Sequence, residues 1–282
     1  MKTIDLHVHS SASDGTVSPS SLAALASSLS LSAFALTDHD TTDGIEEAVL
    51  ASRSLPDGPE VIPGIELSTD FEGTEVHIVG LDLSYQNPGF QAFLNALRQN
   101  RLSKNQEMIH RMADGGIPIS YEQMAELFGE CVWTRAHFAR YLLSIGLVQS
   151  ISEAFHSYIG ENCRYYVAGK KISSIQAVSI IRQFGGIPIL AHPLQYPLDD
   201  FSLRTMISTL KSSGLIGIEV YYSAYTISQA QYLLSLANEF SLLPSGGSDF
   251  HGTNKPSVHL GQGSGNLPIS AELLYRLRAY AQ

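Results

Sequence analysis

Short apolar runs alternate along the chain with longer stretches in which apolar positions recur at helical spacing. Residues 3–8 read as a short buried strand. Ser18 and Pro19 then open a helix to about residue 29, with serine as cap and proline in the first helical position. Residues 33–37 form the next strand, and Thr42 or Asp43 caps a helix that runs to about residue 53. Residues 60–68 and 75–83 carry two further strands. After residue 170 the rhythm resumes with a helix at 173–184, a strand at 187–191 and a helix near 202–212. A strand at 216–221, a helix near 228–240, a strand at 242–245 and a last helix capped by Ser270 complete it. Such alternation predicts parallel strands joined by crossover helices, in a barrel or a doubly wound sheet.

Residues 88–170 break the pattern. A long polar helix at 89–112 is followed by shorter ones at 121–128, 134–144 and 151–159, with few strand-like runs. This reads as a helical insertion capping a barrel built from residues 1–87 and 171–282. A chain of 282 residues suits one α/β barrel domain, and 44% hydrophobic residues supply its core. No apolar run reaches the ~18 residues a membrane helix needs, and the first residues lack the pattern of a signal peptide. A cytoplasmic location is the expectation.

Two cysteines, Cys131 and Cys163, form no CxxC pair, which argues against a thiolate metal site or a redox motif. A net charge of −10 argues against non-specific nucleic-acid binding. It leaves room for an anionic substrate, because bound cations reverse the local field.

The chemistry-bearing residues gather where predicted strands end. The first strand runs Asp5-Leu6-His7-Val8-His9, and alternation puts His7 and His9 on one side. Asp14 follows in a loop. The second strand ends in Thr37-Asp38-His39-Asp40, the third in Gly64-Ile65-Glu66, and the fourth carries His77. Later strands give Ala191-His192-Pro193, Ile218-Glu219-Val220-Tyr221 and Ser248-Asp249-Phe250-His251. Barrel strand ends converge on one face, where active sites form. One strand-end histidine is ordinarily a hydrogen-bonded structural residue, but so many at equivalent places point to a multinuclear metal site. Imidazole with carboxylate suits two or three divalent ions, Mn²⁺, Fe²⁺ or Zn²⁺, and the absence of thiolates agrees. A carboxylate such as Glu66 can bridge two of them. His110, His156 and His259 stand apart from this pattern.

These ordered motifs resemble those of the polymerase and histidinol phosphatase (PHP) domain family over nearly the whole chain. The resemblance implies a distorted, TIM-like seven-stranded (β/α) barrel with a trinuclear metal centre. It implies that His7, His9, Glu66 and Asp249 bind one ion, Glu66, His77 and His192 a second, and Asp14, His39 and His251 a third. Many members carry histidine where Asp14 stands.

The inserted helices resemble the subgroup that hydrolyses nucleoside 3′,5′-bisphosphates, some members of which also trim short RNA from the 5′ end. Two segments carry that similarity. In Arg98-Gln99-Asn100-Arg101-Leu102-Ser103-Lys104-Asn105, the residues Arg98, Arg101 and Lys104 make one basic helix face. In Trp133-Thr134-Arg135-Ala136-His137, Thr134 caps a helix whose first amides suit a phosphate, with the planar fork of Arg135 beside it. Relatives often carry proline where Ala136 stands. Arg164, Lys170 and Lys171 are further basic candidates. Tyr221 and Tyr222 are candidates to line the pocket, and Glu219 to orient a histidine ligand.

The expected reaction is hydrolysis of a phosphomonoester by in-line attack of a hydroxide generated between the ions. Nucleoside 3′,5′-bisphosphates, losing the 3′-phosphate, are the first expected substrate, and short single-stranded 5′-phosphorylated RNA the second. Asp40 and His251 are candidates both to protonate the leaving alkoxide and to contact substrate. No membrane and no obligate protein partner is expected. The alternatives are a phosphatase for histidinol phosphate or another small molecule, and a non-catalytic metal- or nucleotide-binding module. Modules of that kind usually lose ligands, whereas this chain keeps the set.

Overall fold

The computed structural model describes residues 2–129, 131–169, 171–264, 267 and 269–281. The chain divides into two units, Met1–Phe90 with Lys171–Gln282, and Gln91–Lys170. The elements begin with β1 (Thr3–Val8), α1 (Pro19–Ser28), β2 (Ala33–Leu36), α2 (Ile45–Arg53), β3 (Glu60–Phe71) and β4 (Thr74–Leu81). Helices α3 (Pro88–Asp114), α4 (Tyr121–Phe128), α5 (Arg135–Ser144) and α6 (Ile151–Ala154) follow. Then come β5 (Ile172–Ser173), α7 (Ser174–Gln183), β6 (Ile187–Leu190), α8 (Asp200–Ser212), β7 (Gly217–Tyr222) and α9 (Ile227–Glu239). The last are β8 (Leu243–Gly247), β9 (Ile269–Ser270) and α10 (Ala271–Ala281).

The nine strands among the described residues share one sheet in the order β8-β7-β6-β4-β3-β2-β1-β9, with β5 paired to β3. The path nearly closes into a barrel because β1 meets the end of β8. Val8 bridges Phe250 in parallel, the Asp249 amide donates to the His7 carbonyl at 2.9 Å, and the His9 amide to the Phe250 carbonyl at 3.0 Å. Asp5 reinforces the seam by accepting from the amides of Ser248 at 2.9 Å and Gly261 at 2.8 Å. The approach is close enough to require glycine at position 247, where a Cβ would stand 2.2 Å from that of His7.

Not every strand is parallel as the alternation predicts. β3 and β4 pair antiparallel from Gly64 opposite Leu81 to Phe71 opposite Thr74, and β4 runs antiparallel to β6. The reason is the connection. Two residues, Glu72 and Gly73, join β3 to β4 with φ of 50° and 87°, a hairpin turn. A parallel return needs a crossover of about a dozen residues or more.

Period-two alternation partitions the core. Ala33 and Ala35 of β2 join Ile4, Leu6, Ile62, Val79 and Ile189 in one cluster, under Leu274 and Leu277 of α10. Phe34 and Leu36, on the other face, pack with Val8, Leu22, Ala26 and Ile45 beneath α1 and α2. The Gln91–Lys170 unit has its own core, in which Trp133, Phe138, Leu142, Met108 and Met124 are buried. No helix among the described residues is long and apolar enough to cross a membrane.

Caps follow the sequence closely. Ser18 Oγ accepts from the Ser21 amide with Pro19 opening α1, and Thr134, Ser173 and Thr226 each close a capping box. Helix α2 differs: Gly44 is its cap and no side chain satisfies it. Thr42 instead gives its carbonyl to the Ile45 amide, and Thr41 Oγ1 takes the Asp43 amide, so both threonines belong to the preceding turn. The predicted helix at 151–159 is α6 continued by a π-helical turn, Phe155–Ile159.

Gly247→Ala should destabilise the protein by about 1–3 kcal/mol in denaturant unfolding, as overpacking of backbone on backbone does. Because the clash falls on His7, metal affinity should fall as well. Unchanged values of both would show that the seam yields without disturbing the strand.

Candidate metal centre

β1 presents His7 and His9 with their Nε2 atoms 3.1 Å apart. Two imidazole nitrogens this close gain nothing from each other unless a proton or an ion lies between them. Glu66, at 1% exposure on β3, stands beside both. Its Oε2 lies 3.3 Å from His7 Nε2, 3.1 Å from His9 Nε2 and 3.3 Å from His39 Nδ1. Its Oε1 lies 3.0 Å from His77 Nδ1 and 2.9 Å from His192 Nε2. His77 reaches it because Ser68 pairs with His77 across the β3–β4 hairpin, which makes Glu66 its diagonal neighbour on the same face.

Asp249 and Asp14 complete the ring. Asp249 Oδ1 lies 3.5 Å from His9 Nε2, 3.7 Å from His7 Nε2 and 3.2 Å from His251 Nδ1. Asp14 Oδ1 lies 3.2 Å from His251 Nε2, and its Oδ2 3.7 Å from His39 Nε2. Three sets bring donor atoms within 4.8 Å of one another: His9, Asp14, His39 and His251; His7, His9 and Glu66; His39, Glu66 and His77. All nine predicted ligands therefore meet in one place. The sets differ in detail from those the resemblance implies, since His9 also faces Asp14, and His39 also faces Glu66.

Neighbouring groups orient these donors. His7 Nδ1 meets Glu219 Oε1 at 3.1 Å, which fixes its tautomer and turns Nε2 toward Glu66. Glu219 Oε2 also accepts the His192 amide at 2.7 Å. His251 Nδ1 donates to the Asp249 carbonyl at 2.9 Å. Tyr196 accepts the His77 amide and donates to the Ala191 carbonyl. Asp38 holds the Asp14 loop by accepting from the Ser10 amide and from the hydroxyls of Ser10 and Ser13. Asp40, His192 and Asp249 turn through left-handed backbone, with φ of 53°, 26° and 56°. Non-glycine residues rarely do so, and such turns gather at functional sites. Asp40 Oδ1 accepts the Ser68 amide at 2.9 Å.

Electrostatics reinforce the picture. Burial would push Glu66, Asp14 and Asp249 up, but neighbouring imidazoles, and for Asp249 first Lys255, hold all three well below the carboxylate range. Burial works against charging His7, yet Glu66, Glu219 and Asp249 outweigh it and raise it well above its ordinary value. Burial and the neighbouring His251 push His9 down to about 3. The donors fit divalent ions on a further ground. His9, His39 and His192 each bury an Nδ1 with no hydrogen bond, a costly state for a polar atom. His39 Nδ1 is among them although Glu66 Oε2 is 3.3 Å away, so the two atoms converge on a point instead of bonding.

Of the predicted substrate residues of the Gln91–Lys170 unit, Lys104 and Arg135 meet at one aromatic ring. Arg98, Arg101 and Lys104 are half-buried along one face of α3 while Gln99, Asn100 and Ser103 are exposed. Lys104 Nζ lies 5.6 Å and Arg135 Cζ 5.7 Å from the centre of the Tyr166 ring. Thr134 is the N-cap of α5. Arg164 is exposed and stacks on Tyr165, and Lys171 pairs with Glu75 at 2.8 Å. Lys170 lies outside the described residues. Sequence reasoning missed Lys255 and the tie between Tyr222 and Asp249, because neither has a periodic or motif signature.

Comparison with known proteins agrees with this geometry. The PHP domain model matches residues 5–177. A 5′-3′ exoribonuclease of Haemophilus influenzae is 38% identical over 250 residues, 89% of this chain and 90% of that protein. A 3′,5′-nucleoside bisphosphate phosphatase of Chromobacterium violaceum is 30% identical, over 99% of this chain and 98% of that one. A solved structure from Bifidobacterium adolescentis, provisionally described as a metal-dependent phosphoesterase, matches with a TM-score of 0.86. Its identity is 27%, over 99% of this chain and 96% of that one. A barrel with buried imidazoles and carboxylates at its strand ends, among relatives of this kind, is a metal-dependent hydrolase. The chain belongs to the PHP domain family.

Ions and protons compete for the same nitrogens. Against burial, Glu66 and then Glu75 pull His77 from 6.5 up to about 10, so without ions it keeps its proton at neutral pH. An ion must displace that proton. Apparent Mn²⁺ affinity should therefore rise with pH from 6.5 toward about 10, with net proton release in calorimetry. Affinity flat over this window would remove His77 from the set.

Proposed function

We propose that this chain, a metal-dependent phosphoesterase, hydrolyses the P–O3′ bond of a 5′-phosphorylated nucleotide, with nucleoside 3′,5′-bisphosphates as its substrates. The convergence of Glu66 with eight other imidazole and carboxylate residues carries this reading. Donors of this kind, with no thiolate, suit Mn²⁺, Fe²⁺ or Zn²⁺ in two or three positions. When bound, such ions supply a nucleophile at neutral pH and positive charge for the phosphoryl oxygens.

The chain's own groups do the rest. Glu66 spans two of the donor sets, and Glu219 keeps His7 in the tautomer that presents Nε2. Asp40, aimed by its left-handed backbone and the Ser68 amide, and His251 are the groups assigned to substrate contact and to the proton for the leaving 3′-oxygen. In a buried site such fixed charges act far more strongly than in water. A substrate with two phosphates needs a second cationic partner. Lys104 and Arg135, both set against Tyr166, are assigned that part, with Arg98, Arg101 and the Thr134 helix start beside them in sequence.

A second reading, 5′-to-3′ trimming of short RNA, is favoured by the identity to the Haemophilus influenzae exoribonuclease. It needs no different chemistry. The same P–O3′ bond is broken, and the departing phosphate carries the remaining chain.

The test is phosphate release from adenosine 3′,5′-bisphosphate with Mn²⁺, against histidinol phosphate and a short 5′-phosphorylated RNA. Glu66→Gln should lower kcat/KM for the bisphosphate on the order of 10²-fold or more. Arg135→Ala should raise KM for the bisphosphate about tenfold, ~1.4 kcal/mol, and leave that for 3′-AMP nearly unchanged. Turnover confined to histidinol phosphate would overturn the assignment of substrate while sparing the metal centre.

A further inference from the structure

The two oxygens of Asp249 have different neighbours. Oδ1 faces His7, His9 and His251. Oδ2 takes a hydrogen bond from the Tyr222 hydroxyl at 2.7 Å and an ion pair from the Lys255 ammonium. Tyr222, on β7 and 8% exposed, already holds the carboxylate from a buried position. Lys255 is therefore a second donor on an oxygen already held, and its purpose needs another explanation.

The loop that carries it is well fixed. Asn254 Nδ2 donates to the Asp14 carbonyl at 2.6 Å, and the Thr253 amide to Thr16 Oγ1 at 2.8 Å. The Lys255 amide donates to the Gly252 carbonyl at 3.2 Å. These contacts hold Lys255 between the Asp14 loop and the end of β8. An ammonium has three N–H bonds, and among the described residues Asp249 is its one hydrogen-bond partner. Its side chain is 38% exposed, against 5% for that of Asp249, so the lysine is the more accessible partner of the pair.

A fixed cation on a ligand carboxylate works against the binding of divalent ions there, because like charges repel and the carboxylate's electron density is shared. That unfavourable term is offset when an anion lies across both kinds of cation. Resting on the phosphoesterase reading above, we propose that Lys255 contacts substrate: its ammonium bridges Asp249 Oδ2 and a non-bridging oxygen of the phosphoryl group being hydrolysed. The barrel thus supplies a cation of its own at the reacting phosphate, apart from the basic residues of the helical unit. The same contact holds inorganic phosphate after reaction, so the product competes with substrate.

The experiment is calorimetric titration of the Mn²⁺-loaded protein with inorganic phosphate, using wild type, Lys255→Met and Lys255→Arg. Metal content and thermal unfolding are measured on each. Lys255→Met should keep its metal and its fold, bind Mn²⁺ at least as tightly as wild type without phosphate, and bind phosphate about tenfold more weakly. Lys255→Arg should recover part of that loss. Phosphate affinity unchanged in Lys255→Met with the metal in place would overturn the proposal, as would a wild type that binds no phosphate. Loss of metal from Lys255→Met would overturn it too, and would make Lys255 a positioning residue for Asp249. If phosphate binding depends on Lys255 but no phosphoester is turned over, the functional reading fails and the Lys255 contact stands.

Discussion

One carboxylate among five imidazoles sets the terms for the rest of the molecule. Glu66 is essentially removed from water, and a lone buried carboxylate costs several kcal/mol. Positive charge on His7 and His77, both raised by Glu66, or on ions among the imidazoles, is what makes the arrangement tolerable. Every strand of the barrel's active face serves that requirement. β1 must bring two histidines, β2 one, β4 one from the reversed direction, and the β6 end one more. The barrel exists to deliver them, and its hydrophobic clusters lie around the delivery points.

Acidic residues in the same motifs have two separate fates, decided by what surrounds them. Glu66, Asp14 and Asp249 look at imidazoles. Asp5 and Asp38 look at backbone amides and hydroxyls, and burial raises both from the ordinary aspartate value despite those bonds. Asp5 fastens the barrel seam, and Asp38 fastens the loop that carries Asp14. A motif such as Asp5-Leu6-His7-Val8-His9 thus combines a structural acid with two donor histidines on one strand face.

Much of this was legible in the sequence. Alternation put His7 and His9 together, and strand ends marked Glu66, His192, Asp249 and His251, because a period of two and a barrel's polarity are local rules. The reversed β4 was not read, since Glu72-Gly73 is a turn whose handedness shows in backbone angles and has no Asn-Gly or Asp-Gly signature. Thr42 and Asp43 looked like caps for α2, but both are engaged in the preceding turn and Gly44 takes the place. Lys255 and the tie of Tyr222 to Asp249 were silent because Asp249 is brought to both by tertiary structure.

The seam between β1 and β8 links backbone atoms that are far apart in the chain, with Asp5 and Ser248 separated by 243 positions. Asp249 is synthesised 242 residues after His7. A nascent chain therefore carries His7 and His9 over that interval without the carboxylate of Asp249 beside them. The donor set is assembled only when the seam closes, so the centre depends on some of the most distant contacts in the chain, the kind that slow folding.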